Sequence, residues 1–317
     1  MVGLGFMGST HVRAARALPG VELAAVCSRD PRKLSGDFSE IRGNIGDPAG
    51  HVDLAGVAQY REIGAVLADA SIEAVDICLP TAMHEDVALA ALRAGKHVLV
   101  EKPMAPDGAS ALRMVDEAER RKLTLMAAQV IRFWPEYAAL RETVRSGRLG
   151  KFRGAVFRRR CAAPAWGSWE GGGAFDLLIH DVDFVLHLFG KPEALSTTGV
   201  ADDDAGIDIL HATFFYPDGA DVLITGGWMN REAYPFSMEF TATFDRDTVE
   251  FSTASGVGAL GCPPGSAYTA EMAYFARCCV GEPNRLCPPR ESADAIGLLR
   301  MALDARARRG EKLACRI

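Results

Sequence analysis

Apolar and polar positions follow two different textures along the chain. In the first, short apolar runs at Val21 to Cys27, Ala74 to Leu79, His97 to Val100 and Thr124 to Ala128 predict strands. Between them, helical spacing predicts helices over Ser9 to Leu18, near Glu62 to Ala68, over Glu85 to Ala94 and over Asp107 to Arg121. Strand and helix in alternation are the signature of a parallel sheet covered on both faces. The ligands of such a sheet lie beyond the carboxyl ends of its strands. Phe38 to Gly56 is rich in glycine, poor in paired apolar positions, and reads as a variable loop or ragged helix.

After the segment Gln129 to Pro135, a helix running to Ser146 and the turn Gly147 to Gly150, the texture changes. Strand-like runs at Phe152 to Cys161, Ile207 to Tyr216, Asp221 to Trp228, Phe236 to Phe244 and Thr248 to Phe251 have no helices between them, apart from one element at Gly171 to Gly190. That pattern predicts a mainly antiparallel sheet with helices on one face. Two helices, Tyr268 to Val280 and Glu291 to Arg309, close the chain.

The length of 317 residues suggests about two domains. With 49% hydrophobic and 24% charged residues, the composition is that of an ordinary globular protein. A net charge of -6 offers no broad phosphate-neutralising surface, so nucleic acid is not an expected partner. Arg158, Arg159 and Arg160 make one short basic run, read as solvated. No stretch is apolar for long enough to span a bilayer, no secretory leader is evident, and a cytoplasmic location is the default expectation. The eight cysteines show no C-x-x-C pair and no zinc spacing, which points to reduced, mostly buried thiols and to no metal centre. The neighbours Cys278 and Cys279 would point in different directions on a helix.

The candidate chemistry sits at the strand ends. Gly3, Gly5 and Gly8 spell G-x-G-x-x-G before a helix, the arrangement that permits a tight turn, close approach of a pyrophosphate and helix-strand packing. Only Met1 and Val2 precede Gly3, fewer than the about five or six residues of an ordinary strand. A short apolar strand encoded upstream is the expectation. Ser28-Arg29-Asp30 follows the second strand, where an adenosine ribose is read. Ser28 and Arg29 suit the 2'-phosphate of NADP, whereas Asp30 would bond the free hydroxyl of NAD or serve only as a polar turn before Pro31. Glu101-Lys102-Pro103 ends the His97 strand and would aim Lys102 into the crevice, with a cis bond open to it; a surface turn is the alternative. In Gly171 to Gly190, Asp176 and His180 are one helical turn apart, so a carboxylate can orient an imidazole. Polar residues of a plain amphipathic helix would show the same spacing.

Taken in order, these segments resemble the Gfo/Idh/MocA family, the glucose-fructose oxidoreductase and inositol dehydrogenase relatives. The likeness runs through the glycine loop, Pro80-Thr81-x-x-His84, the stretch from Ala94 to Pro103, Arg145 to Gly150, and the run from Gly171 to Asp183. It implies an α/β protein with an N-terminal Rossmann dinucleotide-binding domain over residues 1-128. A C-terminal α+β domain over 129-317, with a large, mainly antiparallel open sheet, would bind substrate and form a homodimer or homotetramer. The dinucleotide, NADP in preference to NAD, would lie against Gly3, Gly5, Phe6, Met7, Gly8, Ser28, Arg29, Pro80, Thr81, His84, Glu101 and Lys102. The implied reaction moves a hydride between the nicotinamide and a secondary alcohol of a sugar, cyclitol or related polyhydroxylated molecule. Lys102, Asp176 and His180 are the implied catalytic residues, and Arg132 and Trp166 join them as candidate substrate contacts. The other readings are a catalytically silent dinucleotide-binding regulator and an enzyme that uses the dinucleotide transiently, for net hydrolysis or epimerisation.

Overall fold

The computed structural model describes residues 1-41, 43, 50-164, 172-230, 234-261 and 265-317. The chain divides into two compact units, Met1–Phe133 with Cys262–Ala293, and Trp134–Gly261 with Asp294–Ile317.

In the first unit, α1 (Phe6–Arg16), β1 (Ala25–Cys27), α2 (Pro31–Leu34), β2 (Ala58–Tyr60), α3 (Ile63–Ala68), β3 (Ala74–Ile77), α4 (His84–Arg93), β4 (His97–Glu101), α5 (Gly108–Arg121) and β5 (Leu125–Ala128) alternate; the short α2 and β2 are additions to the elements that periodicity predicts. All strand pairs are parallel: β1 with β2, β3 with β4, and β4 with β5. Val2 bridges Cys27 on one side and Ile77 on the other, so the order reverses at the residue before Gly3. That reversal is a topological switch point, where a crevice opens at the carboxyl end of the sheet. Leu4, Val12, Val26, Leu34, Phe38 and Leu54 form one buried cluster of this unit. A second cluster joins Ala15, Leu99, Met126 and Ala128 to Met272, Tyr274, Phe275 and Cys278 of α8 (Ser266–Cys279).

The compact units divide the chain differently from the expected 1-128 and 129-317. Helix α8, expected in a single 129-317 domain, belongs to the first unit because its apolar stripe fills this part of the core. The first break falls after Phe133 rather than after residue 128.

The second unit contains α6 (Pro135–Ser146), β6 (Phe152–Cys161), α7 (Gly172–Phe189), β7 (Ala194–Asp202), β8 (Ile207–Phe215), β9 (Asp221–Trp228), β10 (Ser237–Phe244) and β11 (Thr248–Ser252), with most of α9 (Pro289–Ala305) and β12 (Lys312–Ala314). Its strands lie in the order β11-β10-β6-β9-β8-β7-β12, antiparallel except for β6 with β9. Helix α7 packs on β6, β8 and β9. Tyr137, Phe157, Phe184, Phe240 and Phe251 interlock there, with Tyr137 at 5.0 Å from Phe184 and 5.1 Å from Phe240 between ring centroids. Strand β7 was not foreseen, because only its first residues alternate and the stretch from Thr198 is exposed.

The three arginines of β6 separate by strand alternation. Arg158 and Arg160 both pair with Glu239 of the neighbouring strand. Arg159 points to the other face, fully enclosed, and holds Asp181 of α7 through two hydrogen bonds of 2.8 and 2.9 Å. The run is therefore not uniformly solvated. The described cysteines are free thiols. No helix among the described residues is long and apolar enough to cross a membrane.

Candidate active site

The glycine loop is shaped by what its neighbours leave free. Gly3 has φ +89°, and a Cβ there would stand 2.4 Å from the Cys78 carbonyl oxygen. A Cβ on Gly8 would stand 2.0 Å from the Gly3 carbonyl oxygen. Both are fixed by packing. At Gly5 a Cβ would meet nothing within 4 Å, so here the missing side chain leaves backbone open to an incoming group. Gly5 caps α1 without a side-chain bond, and the first turn carries no acidic residue. The first N–H groups and the positive end of the helix dipole thus suit a pyrophosphate. Phe6 and Met7 begin the helix half-exposed, with the Phe6 ring close against Gly43.

After β1, the three polar residues take different roles. Asp30 accepts the Arg32 N–H at 2.9 Å and caps α2, while its own N–H donates to Ser28 Oγ. Its carboxylate is engaged in the turn before Pro31. Arg29 is exposed, with its carbonyl near the Arg61 guanidinium.

At the ends of β3 and β4 the next two motifs face each other. Pro80 is exposed and Thr81 is buried. His84, expected against the dinucleotide, is 1% exposed; Nδ1 lies 2.9 Å from the Pro103 carbonyl oxygen and Nε2 2.8 Å from that of Leu79. Burial holds its pKa below the ordinary histidine value. Both nitrogens are committed to backbone, so His84 shapes the two turns rather than offering an atom to a ligand. Glu101 is buried and accepts the Lys102 backbone N–H through Oε2 at 2.9 Å. Lys102 is half-exposed at the carboxyl end of the sheet, and Lys102-Pro103 is cis.

Helix α7 sorts its own polar residues. From Gly173 to Leu186 every residue is buried except Asp176 and His180. Asp181 is spent on Arg159 and Asp183 is fully enclosed. Asp208 of β8 accepts the Ala174 N–H and supplies the start of the helix with an acceptor. Asp176 and His180 are therefore the two half-exposed residues of the helix between Gly173 and Leu186, one turn apart.

Two expected substrate contacts fare differently. Arg132 is 0% exposed, and its Nη1 lies 2.7 Å from both the Leu286 carbonyl oxygen and Glu291 Oε2. Its guanidinium ties the segment after β5 to the start of α9, and this enclosure leaves it no access to a substrate. Trp166 lies outside the described residues. Sequence reading also missed a buried cluster of His11, Asp76, Cys78 and Glu271 around Glu101, whose members lie on α1, at the end of β3 and on α8. His11 lies 65 residues from Asp76, a separation that leaves no local signal of the cluster.

Comparison with known proteins identifies the fold and the family. The family model described as oxidoreductase family, NAD-binding Rossmann fold, matches residues 1–129, and the GFO/IDH/MocA C-terminal domain model matches 137–248. The chain is 31% identical to inositol 2-dehydrogenase 2 of Saccharopolyspora erythraea over 62% of its length, and 30% identical to trans-1,2-dihydrobenzene-1,2-diol dehydrogenase of Mus musculus over 69%. The matches span 55% and 65% of those relatives, under two thirds of either. Scyllo-inositol dehydrogenase from Lactobacillus casei, solved with NAD(H) and scyllo-inositol, shares the fold with a TM-score of 0.79 at 19% identity, over 98% of this chain and 97% of that one. On its motifs, its two-unit architecture and these matches, the chain belongs to the Gfo/Idh/MocA family of oxidoreductases, with an NAD-binding Rossmann fold at its N-terminus.

Proposed function

We propose that the protein is an NAD(P)-dependent dehydrogenase of a secondary alcohol in a cyclitol, sugar or similar polyhydroxylated small molecule. The observation that carries this is the half-exposed Asp176-His180 pair on a helix otherwise buried from Gly173 to Leu186. A secondary alcohol holds its proton at neutral pH, so loss of hydride needs a base at the hydroxyl. His180 takes that proton, and Asp176 orients the ring and bonds a neighbouring hydroxyl. Lys102 donates a hydrogen bond and positive charge to the oxygen as it becomes an alkoxide. The bound nicotinamide supplies the hydride acceptor. Gly5 and the start of α1 receive the pyrophosphate. Exposed Arg29 beside Ser28 supports NADP as the preferred form, since Asp30 is occupied in its turn.

Relatives named for inositol and dihydrodiol oxidation support the substrate class. We assign self-association, as a homodimer or homotetramer, to the sheet face opposite α7, where Val156, Ile209 and Leu223 stand half-exposed.

The test is a fluorescence titration with NADH and NADPH, followed by an absorbance screen of cyclitols and sugars with the wild type, Lys102→Ala and His180→Ala. Each variant should lower turnover by about two to four powers of ten. Unchanged turnover removes that residue from the mechanism, and dinucleotide binding with no net redox change on any polyol removes the dehydrogenase reading.

A further inference from the structure

Behind Lys102 lies the buried cluster centred on His11, in the second turn of α1. The ring is 1% exposed; Nδ1 lies 2.9 Å from Asp76 Oδ2, and Nε2 lies 3.2 Å from Glu101 Oε1, an ion-pair approach rather than an aligned hydrogen bond. Cys78 Sγ is 3.6 Å from Nδ1 and 3.5 Å from Asp76 Oδ1. Helix α8 contributes Glu271, 1% exposed, and the Tyr268 ring, 6.1 Å from the imidazole. Glu101 is thus gripped on both sides: Oε1 by His11, and Oε2 by the Lys102 backbone N–H at 2.9 Å.

We propose that His11 is a positioning residue for Lys102: by bridging Asp76 and Glu101 it locks the carboxylate that holds the Lys102 backbone, and so fixes the lysine relative to the glycine loop from which the same helix starts. The inference rests on the assignment of Lys102 to the reacting hydroxyl. His84 packs beside the same turn, its two ring nitrogens 2.9 Å from the Pro103 carbonyl oxygen and 2.8 Å from that of Leu79, with its one N–H donated to one of them. A mechanism that moves hydride and proton together needs the lysine and the dinucleotide in register, and misplacement by about 1 Å can cost about a hundredfold in rate.

The proton inventory fits a bridging cation. Burial opposes charge on His11, but Asp76 and Cys78 together, by charge and by hydrogen bond, outweigh it and hold the ring's pKa well above the ordinary value. Burial pushes Glu271 well above the carboxyl range, so it stays a neutral acid beside two carboxylates. His11, Asp76 and Cys78 present donor atoms within 4.8 Å of one another, the spacing of a metal set. Burial also raises the Cys78 thiol. A protonated ring and a neutral thiol are the opposite of the deprotonated donors a metal takes.

The test compares His11→Gln, Glu101→Gln and Glu101→Ala with the wild type in three readouts: dinucleotide affinity, turnover, and amide exchange in the segment 101-105, where Pro103 contributes no N–H. His11→Gln cannot bridge both carboxylates. It should lower kcat by about 10- to 100-fold with NADH affinity and KM unchanged, and should speed exchange of the Lys102 amide. Glu101→Gln keeps a carbonyl acceptor and should keep the slow exchange that Glu101→Ala loses. A folded His11→Gln protein with wild-type kcat and exchange overturns the proposal, as does affinity falling in step with kcat while exchange stays slow. Should His11→Gln fail to fold, the Glu101 pair decides: equal exchange in Glu101→Ala and wild type overturns it. Should no polyol be oxidised by the wild type, the dehydrogenase reading fails by itself, and the exchange measurement still decides whether His11 and Glu101 hold the lysine.

Discussion

The three loop glycines yield to the same substitution in different ways, and the difference separates folding from binding. Alanine at Gly3 must adopt φ near +89° and place its methyl 2.4 Å from a backbone oxygen. The backbone strain alone is worth about 1-3 kcal/mol, and the overlap adds to it. Alanine at Gly8 meets the Gly3 carbonyl at 2.0 Å, an overpacking worth about 1-3 kcal/mol or more because both atoms belong to the main chain. Alanine at Gly5 meets nothing, and its φ of -80° is ordinary for any residue. A slightly poorer cap and a stiffer unfolded chain oppose each other, and the net change should stay within about 1 kcal/mol. Its methyl would nonetheless occupy the space through which a pyrophosphate approaches. Loss of even one hydrogen bond to a charged group removes about 1.5-3 kcal/mol, about 10- to 150-fold in Kd. Urea denaturation and NADH fluorescence titration of the three variants measure both quantities. Gly3→Ala and Gly8→Ala should be destabilised, whereas Gly5→Ala should fold like the wild type and bind weakly. A well-folded Gly5→Ala protein with wild-type affinity for both NADH and NADPH would refute this use of the loop.

Arg29→Ala should weaken NADPH binding far more than NADH binding in parallel titrations; equal losses would sink the phosphate assignment. Glu271→Gln should change the pH dependence of stability. Because burial raises the folded-state pKa of Glu271, the folded protein keeps a proton that the unfolded chain releases above its ordinary carboxyl pKa. Stability then falls by up to about 1.4 kcal/mol per pH unit until the folded pKa is passed. His11, also raised, acts with the same sign: its stabilising contribution is full below the unfolded histidine pKa and is lost as pH rises through the folded value. The advantage of Glu271→Gln over wild type in thermal unfolding should therefore grow from pH 5 to pH 8, and a constant difference would contradict a buried neutral acid.

Much of the fold was legible because it is written in local periodicity. Strands β3, β4 and β5 carry continuous apolar runs, since a parallel sheet buries both faces, and β6, β8 and β9 alternate because α7 covers only one. Asp176 and His180 stood out for the same reason: a helix repeats every 3.6 residues, and four residues bring two side chains to one stripe.

What the sequence left open depends on contacts between distant segments. The spacing on α7 could not separate accessible Asp176 and His180 from Asp181, because the Arg159 that claims Asp181 lies 22 residues away on another element. Arg132 is claimed by Glu291, 159 residues on, and not by a substrate, and the nitrogens of His84 face two backbone carbonyls instead of a cofactor. The position of α8, and with it the placing of Glu271 beside His11, is set by which core accepts its apolar stripe. Periodicity records that a residue is buried, whereas the partner that makes burial of a charge tolerable comes from wherever the fold brings it, and that choice belongs to the tertiary structure alone.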